Sequence, residues 1–398
     1  MSDGFRLVEP DQLSRDDVQQ WIALSERAIE PSPYADPRWF LNSVKVEPTA
    51  AVRVALVRRN GELTAALPLA VGTARLSGRL PLRVRSAVTE GELFSQAGVR
   101  WYPLVAPGSP VESLESLLRG LRSAGLSLLR VGPFPVDSSL WDAFQTALER
   151  LGSASTSEIT RVDPWAAATG TAQQVSPGLS TAPDFALAHW SASSQKRLAR
   201  YGRAIERILD SPLVLTVSDT PESVEEFLQL QSSGWKGDTS SGGVAFLAMG
   251  LGDWFHGVAR EFRATGSLRV FRLGTPDHAV HMYACVSLGP GVFGLHDAFD
   301  EGFRTSHAGT LGRVAVQNAI TQGGQFFDPC LDSSYREASR QFSTQRPLAV
   351  ATVALGRLAS RTIAIARGLR LPVWTATADS SVTPDEADEN HPHPHPPR

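Results

Sequence analysis

The stretch from residue 268 to residue 330 constrains the fold more than any other. Three runs rich in β-branched and aromatic residues, 268–273, 279–288 and 292–299, follow one another across short turns, which predicts a meander. A glycine-punctuated loop over 300–309 then opens a helix at about 310–321, and a last strand follows at 325–330. Three antiparallel strands, a loop, a helix and one more strand make a mixed α/β unit, not a doubly wound sheet. No nucleotide fingerprint of the GxGxxG or Walker type follows any of these strands.

The first half of the chain reads alike. Runs at 52–57 and 63–71 flank Asn60-Gly61, a hairpin signal. Helical spacing follows at 113–123 through Leu114, Leu117, Leu118 and Leu121, then a short strand at 127–131. A second helix is predicted over 140–151, with Leu140, Phe144, Leu148 and Leu151 on one face. The second half opens on helices at 221–233 and 246–265. The fold class expected is α/β (α+β), two tandem units, each a mixed, mostly antiparallel sheet flanked by helices. A run of small, polar and turn-forming residues places the seam at 166–184, between an N-terminal unit 1–165 and a C-terminal unit 185–375. Residues 376–398, which end in alternating His and Pro, carry too little apolar surface to fold.

Hydrophobic residues are 42% and charged ones 20% of 398 residues, so two cores can be buried. A net charge of -3 argues against a dedicated DNA or RNA binder, which needs a basic excess. Cys285 and Cys330 allow at most one disulfide and no CxxC metal spacing exists. The segment Met1-Ser-Asp-Gly-Phe-Arg lacks a secretory pattern, and no uncharged apolar run reaches the roughly 20 residues of a membrane span. The expectation is a soluble, cytoplasmic protein.

The loop from Asp297 to Arg313 links a strand end to a helix start. Unpaired N–H groups and the helix dipole make such a place a ready phosphate site. Gly309 admits close backbone approach, Thr310 offers a cap or a hydroxyl, and Arg304 and Arg313 can pair with phosphate. The same features also describe an ordinary capped helix with a turn glycine.

Several words in this sequence resemble those of the GNAT-type acyltransferases of the cellulose-biosynthesis branch, relatives of the Fem aminoacyltransferases. They are Tyr34-Ala-Asp-Pro-Arg-Trp39, the Ser-rich entry Trp190-Ser-Ala-Ser-Ser into an Arg-rich helix, and Ser233-Gly-Trp-Lys-Gly237. Gly266-Ser-Leu-Arg269, Asp300-Glu-Gly-Phe with Ser306-His-Ala-Gly-Thr-Leu311, and Asp328-Pro-Cys330 with the downstream Arg346-Pro-Leu continue the series. The resemblance spans most of residues 30–370. It implies two tandem GNAT-like domains, the first a degenerate copy that shapes the acceptor side. Acetyl-CoA or another acyl-CoA would be the co-substrate of the second, with no metal. Pantetheine would lie between splayed strands 292–299 and 325–330, and Arg304, Thr305, Ser306, Gly309, Thr310, Leu311 and Gly312 would contact the cofactor. The first half lacks such a loop, because prolines in Leu104-Val-Ala-Pro-Gly-Ser-Pro110 remove donors.

The implied reaction is N- or O-acyl transfer by direct attack on the thioester. The acceptor would be a small molecule or glycan linked to cell-envelope or exopolysaccharide assembly. The Fem-like alternative takes aminoacyl-tRNA instead, and a further one is a non-catalytic binding or scaffold protein on the same fold. Acyl transfer needs a base, a polarised carbonyl and an acid for the leaving group. His296, Asp297, Asp300 and Asp328 are the candidate bases. His296 titrates in the right range if unperturbed, or is a satisfied strand histidine. Strand alternation puts His296 and Asp297 on opposite faces, so at most one faces a given cleft. Asp328 is a base or a helix cap, and Tyr335 a general acid or a packing ring. Cys330 reads as a small buried hydrophobe. Trp235 and Lys236, with Asp300, are candidate acceptor-binding residues, since an aromatic beside a cation suits a sugar or anion. The basic helix 196–207 is a solvated face or, in a Fem-like protein, a tRNA arm. Residues 348–371 begin β-rich and end in a basic helix that docks on the sheet or touches an anionic membrane.

Overall fold

The computed structural model describes residues 4–47, 51–76, 82–89, 100–171, 175–331, 340–356, 359–361, 363 and 374–376. The first half runs β1 (Gly4–Val8), α1 (Arg15–Arg27), α2 (Pro37–Val46), β2 (Val52–Arg59), β3 (Glu62–Leu76), β4 (Leu82–Val88), β5 (Leu104–Val105), α3 (Pro110–Ser123), β6 (Leu128–Pro135), α4 (Ser139–Leu151) and β7 (Ser155–Trp165). The second runs β8 (Ser180–Thr181), α5 (Ala192–Leu209), β9 (Val214–Ser218), α6 (Pro221–Ser233), α7 (Gly252–Ala264), β10 (Leu268–Thr275), β11 (His278–Leu288), β12 (Gly291–Phe299), α8 (Ala308–Gln322), β13 (Phe326–Asp328), β14 (Thr344–Ala354) and β15 (Trp374–Ala376).

Asn60 and Gly61 adopt φ of 52° and 79°, the left-handed pair that closes a tight hairpin between β2 and β3. The predicted meander is β10, β11 and β12, paired antiparallel in sequence order. One sheet has the order β1-β2-β3-β4-β6-β14-β7, with β5 and β15 on β3. The other has the order β13-β12-β11-β10-β9-β8. Neighbours are antiparallel except for one parallel pair in each sheet, β4 with β6 and β12 with β13. This is the mixed, mostly antiparallel, helix-flanked arrangement in two sheets that the sequence predicts.

Two expectations need correction. The second unit does not run unbroken to residue 375. Strand β14 inserts between β6 and β7 of the first sheet, pairing antiparallel with both. Its Leu348, Ala349, Val350 and Ala351 are all buried, as a central strand requires, and such a run does not reveal which sheet it joins. The helix expected over 246–265 starts only at Gly252, because Gly250 turns the chain through φ of 72°.

The two sheets share a core. Trp21, Trp39, Phe40 and Trp101 of the first half pack in one cluster with Phe227, Trp254, Phe255 and Phe293 of the second. Helices α3 and α4 cover the outer face of the first sheet, and α5 and α8 cover that of the second. The Tyr34–Trp39 word is the joint. Trp39 meets Trp254 edge-on at 4.9 Å. Arg38 pairs with Asp36 and Glu26, bonds Thr265 and Ser267, and stacks on Phe262. Among the described residues no helix is long and apolar enough to cross a membrane.

Candidate functional site

Strands β12 and β13 pair only over Gly291–Phe326, Val292–Phe327 and Phe293–Asp328, then part. At the same level β12 bulges: Ala284 faces His296 and Cys285 faces Gly294, which leaves Leu295 as the extra residue. A cavity of about 270 Å³ opens where the strands separate, lined by Trp235, Lys236, Val244, Tyr283, Leu295, His296, Asp297, Pro329, Cys330 and Leu331. The splay implied for 292–299 and 325–330 is therefore present. In the first sheet Thr89, the residue after β4, stays bonded to β6: its N–H donates to Arg130 O at 3.0 Å. Thr89 Oγ1 accepts from Gly132 N at 3.0 Å and lies 3.2 Å from the carbonyl oxygens of Trp101 and Gly132.

His296 and Asp297 point to opposite faces, as alternation requires, yet both line this cavity, because it sits at the strand edge rather than on one face. The imidazole of His296 meets Gln231 Nε2 through Nδ1 at 3.0 Å and packs edge-on against Phe246. Burial, and then the charge of Lys236, lowers its pKa to about 4. His296 is accordingly neutral near pH 7 and does not titrate in the range expected of a free imidazole.

Asp297 turns the other way. Its Oδ2 receives Arg313 Nη1 at 2.8 Å and lies 3.4 Å from His281 Nε2, and Lys236 Nζ donates to its backbone oxygen at 2.5 Å. Lys236 Nζ also lies 3.3 Å from Asp297 Oδ1. Burial pulls the carboxyl upward, but Lys236, Arg313 and His281 outweigh it and hold it well below the usual carboxylate range. Asp297 is an anchor, and the charge of Lys236 is neutralised before any substrate arrives. Trp235 is 44% exposed at the cavity mouth.

Asp328 is not a free base. Arg100 Nε and Nη2 grip its two oxygens at 2.9 Å each, and Cys330 N donates to Oδ1 at 2.8 Å. Arg100 also reaches Asp163 at 2.7 Å, so a fully buried guanidinium from the first half fixes the end of β13. Cys330 follows with φ of 51°, and its thiol bonds the Tyr34 hydroxyl. Burial, with Asp328 adding to it, pushes that thiol well above its ordinary pKa, which agrees with an inert side chain. Asp300 caps a 3-10 turn, accepting from Gly302 N at 2.8 Å, and its other oxygen lies 2.7 Å from His278 Nε2. Tyr335 lies outside the described residues.

The larger cavity, about 630 Å³, lies over the first turn of α8 and the start of α5. Trp190, Ser191, Ser194, Arg197, Tyr201, His307, Thr310, Arg340 and Gln341 are among the residues around it, and none of its lining residues among those described is acidic. Of the loop residues implied for a cofactor, Thr310 lines this cavity. Arg304 and Thr305 are exposed on the turn Glu301–Ser306, Arg304 being 3.6 Å from Glu301, and Ser306 is half-buried. Gly309, Leu311 and Gly312 face inward. A Cβ on Gly309 would stand 3.0 Å from Phe299 Cδ1, and one on Gly312 only 1.9 Å from His281 Cγ. These glycines admit neighbouring rings. Arg313, one turn beyond Thr310, joins this end of α8 to the splay through Asp297.

Sequence reasoning missed Gln231 and Arg100. The spacing Val224, Phe227, Leu228, Gln231 puts a glutamine in an apolar stripe, a legible sign of a specific partner. Nothing local marks Arg100, whose partners lie 63 and 228 residues away.

No protein-family model matches the chain, and no curated protein does. Solved structures do. A conserved protein of unknown function from Bacteroides thetaiotaomicron matches with TM-score 0.52 at 12% identity, over 89% of this chain and all of that one. FemX matches with TM-score 0.40 at 14% identity, over 87% of this chain and 96% of that one. A tandem GNAT protein from the clavulanic acid biosynthesis pathway matches with TM-score 0.37 at 14% identity, over 88% of this chain and 99% of that one. The likeness is one of fold.

Proposed function

We propose that the chain transfers an acyl group from an acyl-CoA, such as acetyl-CoA, to an amine or hydroxyl of a small-molecule or glycan acceptor. The observation that carries this reading is the opened parallel pair β12 and β13 with its cavity, together with a second, phosphate-compatible cavity at the start of α8, the helix whose Arg313 bonds Asp297 of β12. The thioester would enter the splay and its phosphates the basic cavity, where Arg197, Arg340 and the first N–H groups of α8 meet negative charge. Beyond Phe293 the edge of β12 has, among the described residues, no strand partner on the β13 side and can offer backbone donors to the carbonyl oxygen. The acceptor atom attacks the carbonyl carbon, the new C–N or C–O bond forms, and the C–S bond breaks. The departing thiolate takes up a proton, and the acceptor's proton leaves to solvent. Trp235 would border the acceptor, and the neutral Lys236–Asp297 pair suits a polar, weakly charged one. A link to envelope or exopolysaccharide assembly rests on the sequence words alone.

One observation favours a second reading. Lys196, Arg197, Arg200, Arg203 and Arg207 are all exposed along α5, which borders the basic cavity. An aminoacyl-tRNA would use that row as a backbone contact.

Calorimetric titration of acetyl-CoA, desulfo-CoA and deacylated tRNA separates these readings. The proposal expects saturable binding of both CoA compounds, weakened at least tenfold in Arg197→Glu, whose exposed site spares the fold. Tight, steeply salt-dependent tRNA binding without CoA binding would replace it with the second reading. Binding of neither to folded protein would leave a non-catalytic binding or scaffold role.

A further inference from the structure

Gln231 is 1% exposed on α6, and its amide orientation is fixed by the backbone. Phe246 N donates at 2.8 Å to one terminal atom, which must therefore be the oxygen, Oε1. The other atom is Nε2, 3.0 Å from His296 Nδ1, and a carboxamide nitrogen only donates. Nδ1 must accept. The single proton of the neutral ring is then on Nε2. The carbonyl of Asp297 lies 3.2 Å from Nδ1 and could bond it only in the alternative, Nδ1–H form.

We propose that Gln231 is a positioning residue that locks His296 as its Nε2–H tautomer, so that the imidazole presents a hydrogen-bond donor, not a base, to the transferred acyl carbonyl. The ring sits where this would matter, in the wall of the cavity between the splayed strands. The ionisable groups around it are Lys236 from the turn after α6, Asp297 from β12, Tyr283 from β11 and Cys330 after β13. Lys236 and Asp297 neutralise one another, which leaves the Gln231 contact to decide the tautomer. The role in acyl transfer rests on the function proposed above; the tautomer does not.

The test is long-range ¹H–¹⁵N NMR of the full chain at pH 7, with the His296 signals assigned by their loss in His296→Gln. The wild type is expected to show a protonated Nε2 and an unprotonated Nδ1. Gln231→Glu replaces the donor by an acceptor, so the proton should move to Nδ1 and the titration midpoint rise by about 1–3 pH units. Gln231→Met keeps the volume, removes the donor, and should move the proton toward Asp297 O; it serves if the glutamate variant does not fold. A wild-type ring protonated on Nδ1 would overturn the proposal, whatever the activity. With acyl transfer established, kcat should fall on the order of 10²-fold in either variant while KM for the donor changes little. An unchanged kcat would overturn the positioning role. The expected tautomer in a protein that neither binds nor turns over acyl-CoA would instead overturn the function proposed above.

Discussion

Leu295 is the residue on which the site turns. As the extra residue of a bulge it interrupts the ladder of β12 with β11 close to where β13 leaves. The residues after it, His296 and Asp297, thereby reach one cavity from opposite faces. Alternation alone predicted that only one of them would, since a bulge at a strand edge leaves no mark in the period-2 pattern. The low pKa of His296 has a consequence for folding. Between its ordinary value near 6.5 and about 4, the unfolded chain binds a proton that the folded chain does not. The stability associated with His296 is therefore complete above pH 6.5 and is lost as pH falls toward 4. Urea titrations at several pH values should show this loss as a difference between wild type and His296→Gln; parallel curves would contradict it. Gly312→Ala makes a second residue-scale test. In a helix interior this change ordinarily stabilises by up to about 1 kcal/mol. Here the new Cβ would collide with the buried His281 ring, so a loss of about 1–3 kcal/mol is expected. A gain measured by urea unfolding would show that the ring is not where it is described.

Strand β14 shows what sequence reading reaches at the scale of elements and what it does not. Its apolar run is plain from residue 348, but its partners β6 and β7 are chosen by contacts about 200 residues away. Strand β7 is harder still, because Ser155–Trp165 is largely polar and its exposed face carries no hydrophobic alternation. The meander and the helix after it were legible because their pairing is local. Arg100 belongs with the long-range class and gives the sharpest element-scale prediction. Arg100→Met strands Asp328 without its ion-pair partner in a buried setting and leaves Asp163 to Arg161 alone, which should cost about 3–5 kcal/mol. Asp328 would then release the Cys330 turn, so the cavity wall should loosen as well. A variant with wild-type thermal stability would contradict the clamp.

At the scale of the whole molecule, the tandem plan could be read from the repeated order of elements, and the joint could not. The joint is a shared apolar core together with Arg38, whose partners come from both halves. Such a core couples the two sheets, so calorimetry should show one cooperative unfolding transition. Two well-separated transitions would mean that the halves fold independently. The central claim is that the splay of the second sheet, with the first turn of α8, receives an acyl-CoA. Hydrogen–deuterium exchange with and without saturating acetyl-CoA tests it most directly. The account predicts slower exchange at 294–299, 307–311 and 330–331, with β2 and β3 unchanged. Unaltered exchange at those amides, or protection confined to the first sheet, would contradict it.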